Sequence, residues 1–335
     1  MSFKYSFLMS LIIIVVLIVI PIIAINIGLN YLFGIILPYF SLIFFVFMTI
    51  LKIIDWGKSP VPFKIPTTCG QQKSLDWIKY NKLEAPFNKK DVFYRMLLEI
   101  LLFRSLFRNN KVFFYKDKTK LAYFSSKWLW LFAIIFHYSF LVVIIRHLRF
   151  FTNPTPTFIH FLEKIDGFFE VGIPIIYMSG VLLAVALLFL LLRRIMINKL
   201  RYISLVSDYF PLLLILAIVT TGIMIRYFYR IDVVSIKELT MGLVTLNPAM
   251  PENNIGVLFY IHLFLVCILF IYLPFSKIMH FIGVFLSPTR NLANNSRVKR
   301  HINPWNPEVK LHTYEEYEDE FREKMKKAGI PVEKE

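Results

Sequence analysis

Cysteine is nearly missing from this 335-residue chain, with Cys69 and Cys267 the only two. They fall in different kinds of segment, so no disulfide framework is expected. Two thiols are too few for an iron–sulfur cluster on this chain, and the lack of any CxxCH argues against a covalently attached c-type haem. Acids are also scarce, 22 against 38 Lys and Arg. The apolar runs hold almost none, so the carboxylates that accompany a proton relay are not there. Polar midplane residues, broken helices and repeated halves, the marks of a secondary transporter, do not stand out either. The net charge of +16 comes without any nucleic-acid-binding signature. Its basic residues cluster in particular loops, which fits orientation in a membrane better than a nucleic-acid partner.

Apolar residues are abundant. They make up 57% of the chain, 34 of them Phe, and mean hydropathy is +0.61. Several runs exceed about 18 residues, enough to cross a hydrocarbon core roughly 30 Å thick at about 1.5 Å per residue. The composition predicts an all-α, polytopic membrane bundle of six transmembrane helices, at 6–27, 32–54, 128–150, 170–192, 203–227 and 256–284. The first follows Lys4 like a signal peptide, but it is too long and lacks a small-residue cleavage site, so it reads as a retained anchor.

Loop charge orients the spans. Segment 55–127 holds 15 Lys and Arg against 6 acids, and the tail from 287 holds 10. The link between spans four and five carries Arg193, Arg194, Lys199 and Arg201 without an acid. On the other side, the only bases are Lys164 in 151–169 and Arg230 and Lys237 in 228–255, and the link between spans one and two has no charge. The positive-inside rule makes the basic side cytoplasmic, with both termini there, in a multi-pass protein of the cytoplasmic membrane. The chain then divides into spans one and two (1–54), a cytoplasmic insertion (55–127), spans three to six (128–286) and a cytoplasmic tail (287–335).

The insertion opens with Pro60, Pro62 and Pro66. It later carries DVFYRMLLEILLFRSLF, a helical stretch with a broad apolar face that suits the membrane surface, a partner subunit or this chain itself. In the tail, Thr313 with Glu316 forms a capping box, and Gly329 and Pro331 stop a helix at about 314–328. Such a polar tail either docks on a soluble partner or stays solvated.

Four histidines stand inside the apolar runs: His137 and His147, ten residues apart, and His262 and His280, eighteen apart. Ionisable groups in a span cost about 2.5 kcal/mol or more each and mark function. The loop charges run span three outward and span six inward. They therefore pair His137 with His280 near the cytoplasm and His147 with His262 near the outside. On ideal helices the two separations are about 15 Å and about 27 Å along the axis, a mismatch that tilt or a kink at Pro274 must absorb. Singly, such a histidine often just bonds a backbone carbonyl. As two depth-matched pairs, they point to two bis-imidazole metal centres, best filled by haem iron; zinc prefers a tight four-ligand cluster. His160, His301 and His312 lie in a loop and the tail and have no ligand role. At the outer edge, Arg146, Arg149, Arg226, Tyr227 and Tyr260 are candidates to donate to a quinone carbonyl or to hold a haem propionate. Interfacial anchoring competes for each of them.

These spacings resemble the haem b membrane subunits of respiratory nitrate reductase, the gamma-subunit family. There, two helices of a five-helix bundle give histidines ten and eighteen apart. The resemblance covers spans two to six. TTCGQQKSLDWIK at 67–79, FRSLFRN at 103–109, SPTRNLANNSR from 287 and HINPWN at 301–306 resemble one branch in particular. It comprises the membrane cytochrome b subunits of sulfite-reduction-associated complexes (DsrM) and their Hme relatives. The resemblance implies two haem b groups on the four histidines, menaquinone as substrate, and a cytoplasmic iron–sulfur subunit related to heterodisulfide reductase. The chain would then be a quinol-oxidising electron-transfer subunit of a larger redox complex. In the gamma-subunit pattern a Gly precedes the outer first-helix ligand; Arg146 stands there instead, so the family is no guide to the quinone pocket here. A purely structural anchor or a transporter with structural histidines are the competing classes.

Overall fold

The computed structural model describes residues 3–59, 70–115, 119–169, 175–229, 231–287, 289–296, 299 and 311–334. Pro60, Pro62, Pro66, Cys69, Arg230, His301, HINPWN, and Pro288 and Arg297 of the SPTRNLANNSR stretch lie outside the described residues. The protein is a multi-pass membrane protein, mostly helical, with six helices long and apolar enough to span a bilayer.

The first span is α1 (Phe3–Asn26), which ends where Gly28 turns the chain at φ +86°. A π-helical turn at Leu32–Ile36 then runs into α2 (Leu37–Lys58), with Pro38 in its first turn. The broad apolar stretch of the next segment is split. α3 (Lys89–Leu102) starts on Asn88, whose side chain accepts from the Asp91 N–H at 2.8 Å. It ends at Phe103 in a left-handed conformation, and the short α4 (Arg104–Phe107) follows. Next comes an antiparallel hairpin, β1 (Asn110–Tyr115) with β2 (Lys120–Ser125), in register Val112↔Tyr123 and Phe114↔Leu121.

Span three is α5 (Lys127–His147), continued by a 3-10 turn at Leu148–Phe150. The loop beyond it folds into α6 (Thr157–Asp166) and a small hairpin, β3 (Gly167–Phe169) with β4 (Ile176–Tyr177). Span four therefore begins later than its hydropathy predicts, as α7 (Met178–Met196). After α8 (Asn198–Ile203), α9 (Val206–Tyr227) forms span five, and α10 (Val233–Val244) lies on the loop that follows.

The sixth span is not one helix. α11 (Val257–Tyr272) gives way to a 3-10 turn at Leu273–Phe275 and an extended Ser276. A second 3-10 turn at Lys277–Met279 leads to α12 (His280–Leu286). Pro274 has no N–H for the helix ladder, and its ring crowds the carbonyl four residues earlier. Ser276 restarts the chain, its hydroxyl oxygen accepting from the Ile278 N–H at 3.1 Å. His262 and His280 consequently do not share one continuous helix face.

In the bundle, α5 packs on α7, α7 on α9, and α11 on α2 and α9, while α1 lies in the groove of α9 and α11. Tyr209, Leu214, Ile261 and Leu265 fill the α9–α11 interface with Ile14 of α1. Leu183, Leu187 and Ile215 pack under Phe136, Phe140 and Val143 of α5. Phe33, Ile35, Leu239, Tyr260 and Phe264 fill the far end. The outward faces stay apolar, for example Ile12, Val15, Val19 and Ile23 on α1. Apolar side chains all round are what a span facing lipid requires.

At the basic end, the segment after α2 is tied to both α5 and the tail. Trp130 Nε1 donates to the Leu102 carbonyl at 2.7 Å, and the Tyr138 hydroxyl donates to that of Leu101 at 2.9 Å. Glu84 pairs with Arg104 and Arg108, Glu99 pairs with Arg290, and the Asn294 N–H donates to the Pro86 carbonyl at 2.6 Å. Burial and the nearby Arg290 hold the Arg95 guanidinium below its usual value. The FRSLFRN and SPTRNLANNSR stretches are thus both tied to the segment around Glu84, Pro86 and Glu99. The tail helix is α13 (Tyr314–Lys327), as its capping box predicts. Thr313 Oγ1 accepts from the Glu316 N–H at 3.2 Å, and Glu316 accepts from the Thr313 N–H at 3.1 Å.

Candidate functional site: two facing imidazole pairs

His137 and His147 lie on α5, His262 on α11, and His280 opens α12 beyond the break. The structure joins them as the loop charges require. The His137 and His280 rings are 5.9 Å apart between centroids, with planes at 82°. Those of His147 and His262 are 6.5 Å apart, with planes at 15°. A metal bonded to two opposed imidazoles at about 2 Å, with about 1.1 Å more from each nitrogen to its ring centre, separates the centroids by about 6 Å.

The hydrogen bonds select the ligating nitrogen. His137 Nδ1 lies 2.7 Å from the Ala133 carbonyl oxygen, His147 Nδ1 2.7 Å from that of Val143, and His280 Nδ1 3.0 Å from that of Lys277. A carbonyl only accepts, so each Nδ1 carries the proton and each Nε2 keeps its lone pair. His262 reaches the same state through a side chain, its Nδ1 lying 2.9 Å from Thr221 Oγ1. The Thr221 hydroxyl proton is directed to the Ala217 and Ile218 carbonyls, both at 2.9 Å, so its oxygen accepts from the imidazole. Outer partners of this kind fix the tautomer and orientation of metal-bound histidines.

Gly222, next to Thr221, lets α9 approach closely: a Cβ there would stand 3.3 Å from His262 Cε1. Among the described residues no group of three or more His, Cys, Asp or Glu is placed to hold a metal ion. Two trans imidazoles with no third protein ligand fit an iron whose other four positions belong to a planar macrocycle. The residues present therefore fit haem.

The outer-edge candidates divide into groups. Arg146, which takes the place of the family's Gly, turns to Asp166 at the end of α6. Its Nη1 donates to the carboxylate at 2.7 Å and to Ser179 Oγ at 3.1 Å. Asp166 is buried, and also accepts from the Ser179 N–H at 2.7 Å and its hydroxyl at 2.5 Å. The Arg146 guanidinium carbon stands 3.1 Å from the Tyr177 ring centroid, and that of Arg226 stands 4.2 Å from it. Arg226 donates to the Ile175 carbonyl at 3.2 Å, and so does the Tyr227 hydroxyl at 3.3 Å. Arg146, Arg226 and Tyr227 thus converge on Tyr177 and its strand. Arg149 pairs with Glu163 at 2.9 Å. Tyr260 stands apart: two residues before His262 is about 200° around the helix, and it packs with Phe33, Phe264 and Gly34. His160 lies 3.7 Å from Glu163 and His312 4.0 Å from Glu316, both distant in sequence from the imidazole pairs.

Thr221, Gly222, Asp166 and Ser179 are not foreseen from the sequence. The Thr220-Thr221-Gly222 triplet inside an apolar run was the available signal for the first two. Nothing local marks Asp166, whose partners come from two other elements.

The nitrate reductase gamma subunit family matches this chain over residues 94–301, which includes all four histidines. A protein of Archaeoglobus fulgidus described as an Hdr-like menaquinol oxidoreductase cytochrome b-like subunit is 46% identical over 282 residues, 82% of this chain and 84% of its own. Its counterpart in Archaeoglobus profundus, described in the same words, is 45% identical over 281 residues, 82% and 83% of the two chains. With the histidine pairs inside the matched region and relatives aligned along most of its length, this chain belongs to the nitrate reductase gamma subunit family.

Proposed function

We propose that this protein is a di-haem cytochrome b subunit that exchanges electrons between the menaquinol pool and a cytoplasmic iron–sulfur subunit related to heterodisulfide reductase. The observation that carries this reading is the pair of facing imidazole sets, 5.9 and 6.5 Å between centroids, with every Nδ1 already bonded to the chain. When bound there, the haems supply one-electron transfer at irons with no open position, which suits an electron wire rather than oxygen chemistry. His137 with His280, and His147 with His262, would hold the two irons. The printed descriptions of the two relatives support menaquinol as the donor and an Hdr-like partner. The four sequence stretches of the DsrM and Hme branch support a sulfur-metabolism complex.

The loop charges support a cytoplasmic-membrane location with both termini in the cytoplasm. The quinol side is assigned to the His147–His262 end and electron exit to the His137–His280 end. The face built from 55–127 and the tail is assigned to the iron–sulfur subunit. Its support is that Glu99–Arg290 and Pro86–Asn294 join the two segments into one surface. At the outer end Arg146 and Arg149 are already neutralised by Asp166 and Glu163. Arg226 is held by a carbonyl and aromatic rings, with no carboxylate paired to it among the described residues. With Tyr227 it is the better placed to meet a quinone carbonyl or a propionate. An anchor or a transporter leaves the four Nε2 lone pairs without a task.

His147→Ala and His262→Ala are each expected to remove one haem and spare the other, as read by reduced-minus-oxidised spectra and haem content of the folded protein. Both haems persisting in either variant contradicts the pairing.

A further inference from the structure

We propose that Phe103 is a positioning residue for His137, its ring holding that imidazole at right angles to His280 and so setting the properties of the inner metal centre. The inference rests on the di-haem reading above. Phe103 is not part of the membrane bundle; it ends α3, in the segment between α2 and α5. Its ring centroid lies 4.9 Å from that of His137, edge-on at 82°. Phe136 sits 5.0 Å from the same imidazole at 87°. With Nδ1 tied to the Ala133 carbonyl at 2.7 Å, the ring's remaining freedom is rotation about that bond. Two phenyl rings, each nearly perpendicular to the imidazole, pack against it and oppose that rotation.

The backbone is arranged to deliver this ring. Phe103 has φ +48° and ψ +47°. In a bulky residue this left-handed conformation is strained and persists only where the surroundings enforce it. The surroundings come from α5. The last two carbonyls of α3, Leu101 and Leu102, accept from the Tyr138 hydroxyl and Trp130 Nε1. Tyr138 is the neighbour of His137, and the Trp130 ring also packs on Phe107 at 4.8 Å. The same span thus carries the imidazole and the clamp that presses Phe103 against it.

Among the described residues the outer pair has no such device. The His147 ring has Phe150 at 6.1 Å, tilted at 56°, and its plane lies at 15° to His262. In a low-spin ferric bis-imidazole centre, perpendicular ligand planes leave two of the iron d orbitals nearly degenerate, and near-parallel planes split them. The first gives a single large-g line in electron paramagnetic resonance, the second a rhombic set.

The test uses the full chain in lipid nanodiscs, with low-temperature electron paramagnetic resonance and a redox titration. Wild type is expected to show one large-g line and one rhombic set. Phe103→Gly keeps the left-handed junction, which glycine adopts without strain, while removing the ring. It is expected to move the large-g line toward rhombic and shift one of the two midpoints, leaving the rhombic set unchanged. Loss of only the large-g centre supports the proposal equally if Phe103→Tyr, which keeps a ring, behaves as wild type. Three outcomes overturn it: two identical signals in wild type, no change in Phe103→Gly with both haems bound, or equal changes at both centres. A folded chain that binds no haem overturns the di-haem reading instead.

Discussion

At the scale of single residues, the chemistry turns on where one proton sits in each imidazole. Three histidines give theirs to a main-chain carbonyl, which no substitution removes; His262 has the Thr221 hydroxyl at 2.9 Å, with the Ile218 carbonyl as a second partner. Thr221→Val keeps the shape and loses the acceptor. It is expected to weaken haem binding at the His147–His262 end by about 10–100-fold, as the loss of an outer partner does at other metal sites. Haem retention on dilution, compared between the two centres, reads this directly; equal retention counts against the role given to Thr221. Arg146 and Asp166 make a different prediction. Their side chains are 13% and 8% exposed, and removing one partner from such a pair leaves a buried charge uncompensated. Asp166→Ala is expected to lower stability by about 3–5 kcal/mol, seen as a fall in thermal midpoint, whereas Glu163→Ala at the better solvated Arg149 pair changes it little. The pairing of the four histidines was legible in the sequence because loop charge fixes the direction of each span and so the depth of each ring. Asp166 and Thr221 were not, because an acid in a loop and a threonine in a helix acquire their meaning from elements distant in sequence.

At the scale of elements, the break in the sixth span resolves a mismatch that ideal helices leave. Ten residues on α5 rise about 15 Å and eighteen on an unbroken helix about 27 Å. The chain leaves the α-helix at the turns from Leu273 to Met279, and His280 beyond them meets His137. Pro274→Ala favours a continuous helix and is expected to weaken the His137–His280 centre selectively, as the paired haem contents of the variant would show. Gly222→Leu does the reverse. It drives a side chain into His262, with overpacking of about 1–3 kcal/mol, and is expected to lose the outer haem first. The sequence predicted six spans from hydropathy, and five begin close to where they were placed. The exception, α7, starts late because Gly167–Phe169 and Ile176–Tyr177 pair as short apolar strands that look like the head of a helix. The α3–α4 stretch was likewise read as one helix. Its split at Phe103 is enforced by Trp130 and Tyr138, contacts that no local pattern announces.

At the scale of the whole molecule, charge and membrane polarity divide the chain into a basic end and an outer end. The basic end gathers segments that are remote in sequence. Within the tail, the Glu333 and Lys334 N–H groups donate to Glu318 at 2.7 and 2.8 Å and fold the last described residues back along α13. These bonds, above all that from Glu333, hold the Glu318 carboxyl below its usual range. The stabilisation is therefore present above the ordinary carboxylate range and lost as pH falls through the lowered value of the folded state. The protection of the Glu333 and Lys334 amides, taken as exchange relative to the intrinsic rate at each pH, is expected to fall in acid, and Glu318→Gln to remove most of that pH dependence. The histidine pairing is the larger statement at this scale, since it joins loop charge, helix order and side-chain geometry in one constraint. Its most direct test is the haem-to-protein ratio of the purified, folded chain by pyridine hemochrome, made under full haem supply. The account predicts two b haems per chain, falling to one in His147→Ala. A chain with none, or with one that His147→Ala and His137→Ala both abolish, contradicts it.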